Sequence, residues 1–181
     1  MSIDPSSIPS FGAPQQPAQP PIIRPDADLV TQLLTQMELK HQLDPEGDLV
    51  APWDDFRVYF VFRGTPPQDI FAVRSFYNRP YELERKGELL DVIDEWNRDM
   101  LWPKLYTHTS EDGVLRLIGE SQMIVGPGVN IDYFLGTTAN WIQAAVGFHS
   151  WLNQRLGLEE AIGGIKPEDG DDSSGDGDLN S

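Results

Sequence analysis

Between Tyr81 and Gly128 the hydrophobic period of the chain switches from that of a helix to that of a strand within a few residues. Leu89, Ile93, Trp96 and Met100 recur at spacings of four, three and four, which sets one apolar stripe along a helix. Pro103 stops that helix: its ring leaves no amide hydrogen and pushes Trp102 out of helical geometry. From Lys104 to Thr109 the pattern alternates, Glu111-Asp112-Gly113 supplies a turn, and Val114 to Val125 reads as a second strand. A helix delivered straight into a hairpin commits the chain to a sheet with helices packed on it. The same stretch holds no catalytic constellation.

The flanking sequence extends this plan. Asp26 or Asp28 can cap a first helix in which Val30, Leu33, Leu34 and Met37 share a face. A break at Asp44-Pro45-Glu46-Gly47 precedes a short strand from Asp48 to Trp53. Phe56, Val58, Phe60 and Phe62 then alternate with Arg57, Tyr59, Val61 and Arg63, the mark of a half-buried strand. Gly64-Thr65-Pro66-Pro67 turns the chain into a strand from Asp69 to Tyr77, and a last helix spans Asn130 to Leu156. The order α-β-β-β-α-β-β-α predicts an α+β fold: an antiparallel sheet with its helices on one face.

At 181 residues the chain has room for one domain with a core, flanked by tails. Residues 1–25 are rich in Pro, Gln and Ser and bury too little apolar surface to order themselves; Pro14 to Pro20 carries two PxxP spacings. Residues 159–181 hold eight acids and one lysine, a net charge of -7 (eight minus one). The expected folded body is therefore 26–158. The overall charge of -16 argues against nucleic acid and anionic membrane as partners, since both reward lysine and arginine. Cysteine is absent, which removes disulfides and thiolate chemistry. With no signal-like N-terminus and no apolar run near the ~20 residues of a membrane span, a cytoplasmic protein is expected.

Residues with chemical potential are dispersed. His41, His108 and His149 form no HxH or HExxH arrangement, so no metal is expected. Asp54-Asp55, Glu82/Glu84, Asp91/Asp94/Glu95 and Glu111-Asp112 fall in turns or on polar helix faces rather than in a buried site. Gly126-Pro127-Gly128 lacks the residues of a phosphate loop, and Ser121 and Ser150 lack a nucleophile setting. Neither a catalytic residue nor a cofactor is expected. Two surfaces stand out instead. If the phenylalanines of the 56–63 strand face the helices, Arg57, Tyr59 and Val61 face outward, joined by Arg74, Phe76, Arg116 and Ile118, while Phe71, Val73, Leu115 and Leu117 pack inward. Arginine beside aromatics is a composition that interfaces favour. The last helix carries a second apolar stripe, Trp141, Ala144, Phe148 and Trp151, which either packs within the chain or meets a second copy or a partner.

Three stretches resemble the YbjN family of bacterial proteins: Val92-Ile93-Asp94-Glu95-Trp96-Asn97-Arg98, Trp102-Pro103-Lys104-Leu105-Tyr106, and Asp112-Gly113-Val114-Leu115-Arg116. The likeness covers about residues 27–157 and includes the Val58–Phe62 strand and the tryptophan-rich last helix. It implies a fold similar to type III secretion chaperones, an often dimeric state, and a non-enzymatic regulatory role; no catalytic set comes with it. The expectation is a protein-binding module taking an extended protein segment, with Arg57, Tyr59, Arg74 and Arg116 as the binding face. Trp141, Phe148 and Trp151 would form a homodimer or partner contact. The alternatives are a regulatory adaptor with one folded partner and a small enzyme with a carboxylate site.

Overall fold

The computed structural model describes residues 20–65 and 69–158. Most of the expected N-terminal tail and all of the acidic stretch 159–181 lie outside the described residues. The elements run β1 (Ile22–Ile23), α1 (Ala27–Gln36), β2 (Gln42–Leu43), β3 (Leu49–Pro52), β4 (Phe56–Arg63), β5 (Ile70–Tyr81), α2 (Lys86–Asp99), β6 (Lys104–Thr109), β7 (Leu115–Ile124), β8 (Val129–Asn130) and α3 (Ile131–Arg155). Six strands make one antiparallel sheet in the order β2-β3-β4-β5-β7-β6, and β1 pairs with β8 apart from it. The α+β class and the hairpin after α2 are as the sequence predicts.

All three helices cover one face. Phe56, Val58, Phe60, Phe71, Val73, Tyr77, Leu115 and Leu117 point into a core shared with Val30 and Leu34 of α1, Leu89 and Trp96 of α2, and Phe134 and Phe148 of α3. Asp26 is the cap of α1, its carboxylate accepting from the Leu29 amide at 3.0 Å. The Tyr77 hydroxyl donates to the Ala145 carbonyl at 3.1 Å, and burial pushes that phenol well above its usual range.

The corner after α2 is held by side chains rather than by the helix itself. The Trp96 indole donates to the Pro103 carbonyl at 3.0 Å. The Asn97 amide donates to the Leu105 carbonyl (3.0 Å) and accepts from the Leu105 amide (2.9 Å), standing in for a neighbouring strand on the free edge of β6. Here the structure corrects the stripe read from sequence. The helix ends at Asp99, Met100 is extended and 45% exposed, and Val92 joins Leu89, Ile93 and Trp96 in the core. At its start, a turn of 3₁₀ helix over Leu83–Arg85 replaces the first residues expected to be α-helical, and β5 runs on through Tyr81 past an irregularity after Tyr77.

Two further expectations are corrected. The folded body begins before Asp26: Ile22 and Ile23 pair with Asn130 and Val129, and the Ile131 amide donates to the Pro21 carbonyl at 3.2 Å. A two-residue strand carries no periodicity, so sequence assigned it to the tail. The second stripe of α3 is used within the chain. Phe148 is fully buried against Tyr77 and Trp96, with ring centroids 4.9 and 5.0 Å away, and Trp141 packs on Trp102 at 5.4 Å. The contact with a second copy or partner assigned to Trp141 and Phe148 is therefore filled by α2 and the residues after it. Trp151, half-buried beside Trp96, is the most accessible of the three. Among the described residues no helix is long and apolar enough to cross a membrane.

Candidate functional site

The pleat that sends phenylalanines of β4 into the core sends Arg57, Tyr59, Val61 and Arg63 to the opposite face. Register then fixes the neighbours. Arg57 lies across from Phe76, Tyr59 from Arg74, Phe76 from Ile118, Arg74 from Glu120, and Arg116 from His108. The four residues that the sequence put forward on this face, Arg57, Tyr59, Arg74 and Arg116, all line one concavity of about 530 Å³. Among the described residues no helix lies over this side of the sheet, yet Val50, Val61, Ala72 and Ile118 are buried there. The long stems of the surrounding arginines and the aromatic rings screen them. Tyr59 and Phe76 meet edge to face at 5.3 Å.

The wall of the concavity is the turn between β2 and β3. Asp44 accepts from the amides of Glu46 and Asp48, both at 2.9 Å, and Gly47 takes a positive φ of 91° that the tight turn requires. The carboxylates of Asp44, Glu46 and Asp48 come within 4.8 Å of one another. This acidic rim faces a basic floor.

The cations of the floor differ in how they are engaged. Arg74 is held by Glu120: its Nη2 donates to Oε2 at 3.2 Å and its Nε stands 3.0 Å from Oε1. Tyr106 donates to the same carboxylate at 3.2 Å and Gln122 at 2.6 Å. Burial alone would raise the Glu120 carboxyl, but the Arg74 hydrogen bond and charge, with help from Gln122 and Tyr106, hold it below the usual glutamate range. The Glu120 hydrogen bond in turn raises Arg74. By contrast Arg57, Arg63 and Arg116 form no ion pair among the described residues. Arg57 and Arg63 are exposed and Arg116 is half-buried.

Elsewhere no carboxylate or histidine is buried among the described residues; the buried polar side chains are Ser75, Ser121 and Thr138. His149 packs at a tilt on Phe56 with ring centroids 5.0 Å apart and Asp55 3.7 Å away, and His41 bonds to the Leu39 carbonyl.

The model of the YbjN family, described as "Putative bacterial sensory transduction regulator", matches residues 26–154. The chain belongs to the YbjN family. A solved structure described as "YbjN, a putative transcription regulator from E. coli" has the same fold, with a TM-score of 0.57 at 14% identity, over 70% of this chain and 90% of that one. No curated protein matches. The matched YbjN region contains every strand of the six-stranded sheet and hence the whole concavity.

Within this YbjN domain, Arg63 and His108 also line the concavity, beyond the residues singled out from sequence. Arg63 is legible in hindsight, because it keeps the period of Arg57 and Tyr59. The acidic rim is not, because β2 is two residues long and gives no alternation.

Proposed function

We propose that this YbjN domain is a non-enzymatic, regulatory protein-binding module that receives an extended segment of a partner protein on the uncovered face of its sheet. The observation that carries this reading is the convergence of Arg57, Tyr59, Arg74, Phe76 and Arg116 on a single concavity. Its volume of about 530 Å³ is within the range of ligand sites and holds a few side chains rather than a folded surface. Guanidinium groups bind carboxylates in a bidentate manner, and the Tyr59–Phe76 pair offers apolar contact beside them. Together these suit a short stretch of peptide with acidic side chains. The description of the family as a regulator agrees with a role exerted through binding.

The test is affinity capture of the full chain from its host with cross-linking and mass spectrometry, run beside an Arg57→Glu, Arg116→Glu variant. Cross-links clustered on β4, β5 and β7, and their loss in the variant with folding intact, are expected. Partners retained by the variant would place binding elsewhere and defeat the reading.

A further inference from the structure

Resting on that reading of the outer sheet face, we infer that the chain regulates its own site: the acidic segment 159–181 docks into the arginine-lined concavity and competes with the partner. Three observations carry this. First, the exit point is favourable. Phe134, near the start of α3, packs on Phe71 at 5.0 Å, whereas Phe148 and His149 pack on Tyr77 and Phe56 at 4.9 and 5.0 Å. The helix thus runs along β5 and releases the chain at the end of the sheet where Arg57, Asn78 and Arg116 line the concavity.

Second, the reach suffices. The ten residues that follow Leu158 end at Glu168. Extended, they span up to about 35 Å, against a helix layer only about 10 Å thick. A tether of this length also holds the segment at a high effective concentration, so that weak contacts are enough to populate docking.

Third, the charges match in both signs. Arg57, Arg63 and Arg116 have no ion-pair partner among the described residues, and six acids lie between Glu168 and Asp178. The rim acids Asp44, Glu46 and Asp48 would repel a purely anionic occupant. Lys166, the one cation of the segment, stands two residues before Glu168 and can face that rim. An occupant with a cation next to a run of acids fits a basic floor with an acidic wall better than either charge alone.

The absence of cysteine makes the test direct. A Ser174→Cys chain takes one spin label, and amide signals of the full protein are recorded in its oxidised and reduced forms. Docking predicts selective loss of signal at Arg57, Phe76 and Arg116 at low salt. The loss should be reversed at about 1 M salt, where the Debye length falls to about 3 Å. It should also be reversed when the six acids from Glu168 to Asp178 are changed to their amides. That variant leaves the folded body untouched, so the test does not depend on how an arginine variant folds. Unchanged signals on the outer face, or losses indifferent to salt and to the amide substitutions, would overturn the inference. The two proposals fail separately. Docking seen while no partner is captured leaves the intramolecular contact standing and removes the partner reading, and with it the competition. Partner capture at this face, with its affinity no higher for the amide variant, does the reverse.

Discussion

The two faces of the sheet are built from alternate residues of the same strands, β4, β5 and β7, and they behave as different materials. On one side Phe56, Val58, Phe71 and Val73 close against three helices, and the aromatic rings of Tyr77, Trp96 and Phe148 interlock at about 5 Å. On the other, Arg57, Arg63 and Arg116 stand over Val61 and Ile118 without an ionic partner among the described residues, beside an acidic rim. On the first face the apolar surface is covered and the buried Tyr77 hydroxyl is satisfied, while the Tyr81 hydroxyl and the Trp141 indole N–H are buried without a partner among the described residues. The second leaves three guanidinium groups without an ionic partner among the described residues, and that contrast is what argues for a ligand.

The sharpest way to break the comparison is to damage the inner face. Phe148→Ala removes a fully buried ring that three elements share, and should cost about 3–5 kcal/mol in urea unfolding. A loss as small as that of a surface substitution would mean that the α3 stripe is not committed to this core, and would return Phe148 to a contact with another chain. The next largest effect is expected at the corner. Asn97→Ala leaves both the Leu105 amide and its carbonyl without their partner, at about 2 kcal/mol. Asn97→Asp keeps only the acceptor, and should fall between the two. Equal effects from both variants would show that the edge of β6 is satisfied by water instead.

How much of this contrast the sequence reveals depends on element length. The period-two alternation of β4 and the apolar stripes of α2 and α3 are long enough to read. They led directly to the sheet, the helix layer, and the outward placement of Arg57, Tyr59, Arg74 and Arg116. Where periodicity has too few residues to register, the reading stops. β1, β2 and β8 are two residues each, so the docking of Ile22–Ile23 and the acidic wall of the site were invisible. The role of Trp141 and Phe148 could not be settled either, because an apolar stripe looks the same whether its cover comes from α2 or from a second molecule. Only the position of Trp96 and Trp102 decides it.

A smaller effect separates the outer face into a structural part and an open part. Glu120 sits below the usual glutamate range, so its contribution to stability is fully present above that range and is lost as pH falls through its folded value. Glu120→Gln should therefore cost about 1 kcal/mol near neutral pH. The stability curves of the two proteins should converge in acid, the variant showing the shallower acid limb in denaturation at a series of pH values. Parallel curves would mean that Arg74 and Tyr106 gain nothing from the charge, and that this corner of the face is as uncommitted as the rest.

The smallest expected change is the most informative about function. Replacing Arg57, Arg63 and Arg116 by Glu should alter stability by within about 0.5 kcal/mol at each site, as for surface positions without a fixed partner. The same three changes should abolish recognition on this face. An arginine here has two parts that contribute differently: a stem that shields Val61 and Ile118, and a guanidinium with no ion pair among the described residues. Glutamate is shorter and removes some of the shielding along with the charge, so the variant to set beside it is Arg116→Met, which retains most of the stem. If Met preserves stability and loses binding, the cation serves the ligand alone. If Met loses stability as well, the guanidinium holds the turn of the acidic rim in place across the concavity, and the two faces are less independent than their separate cores suggest.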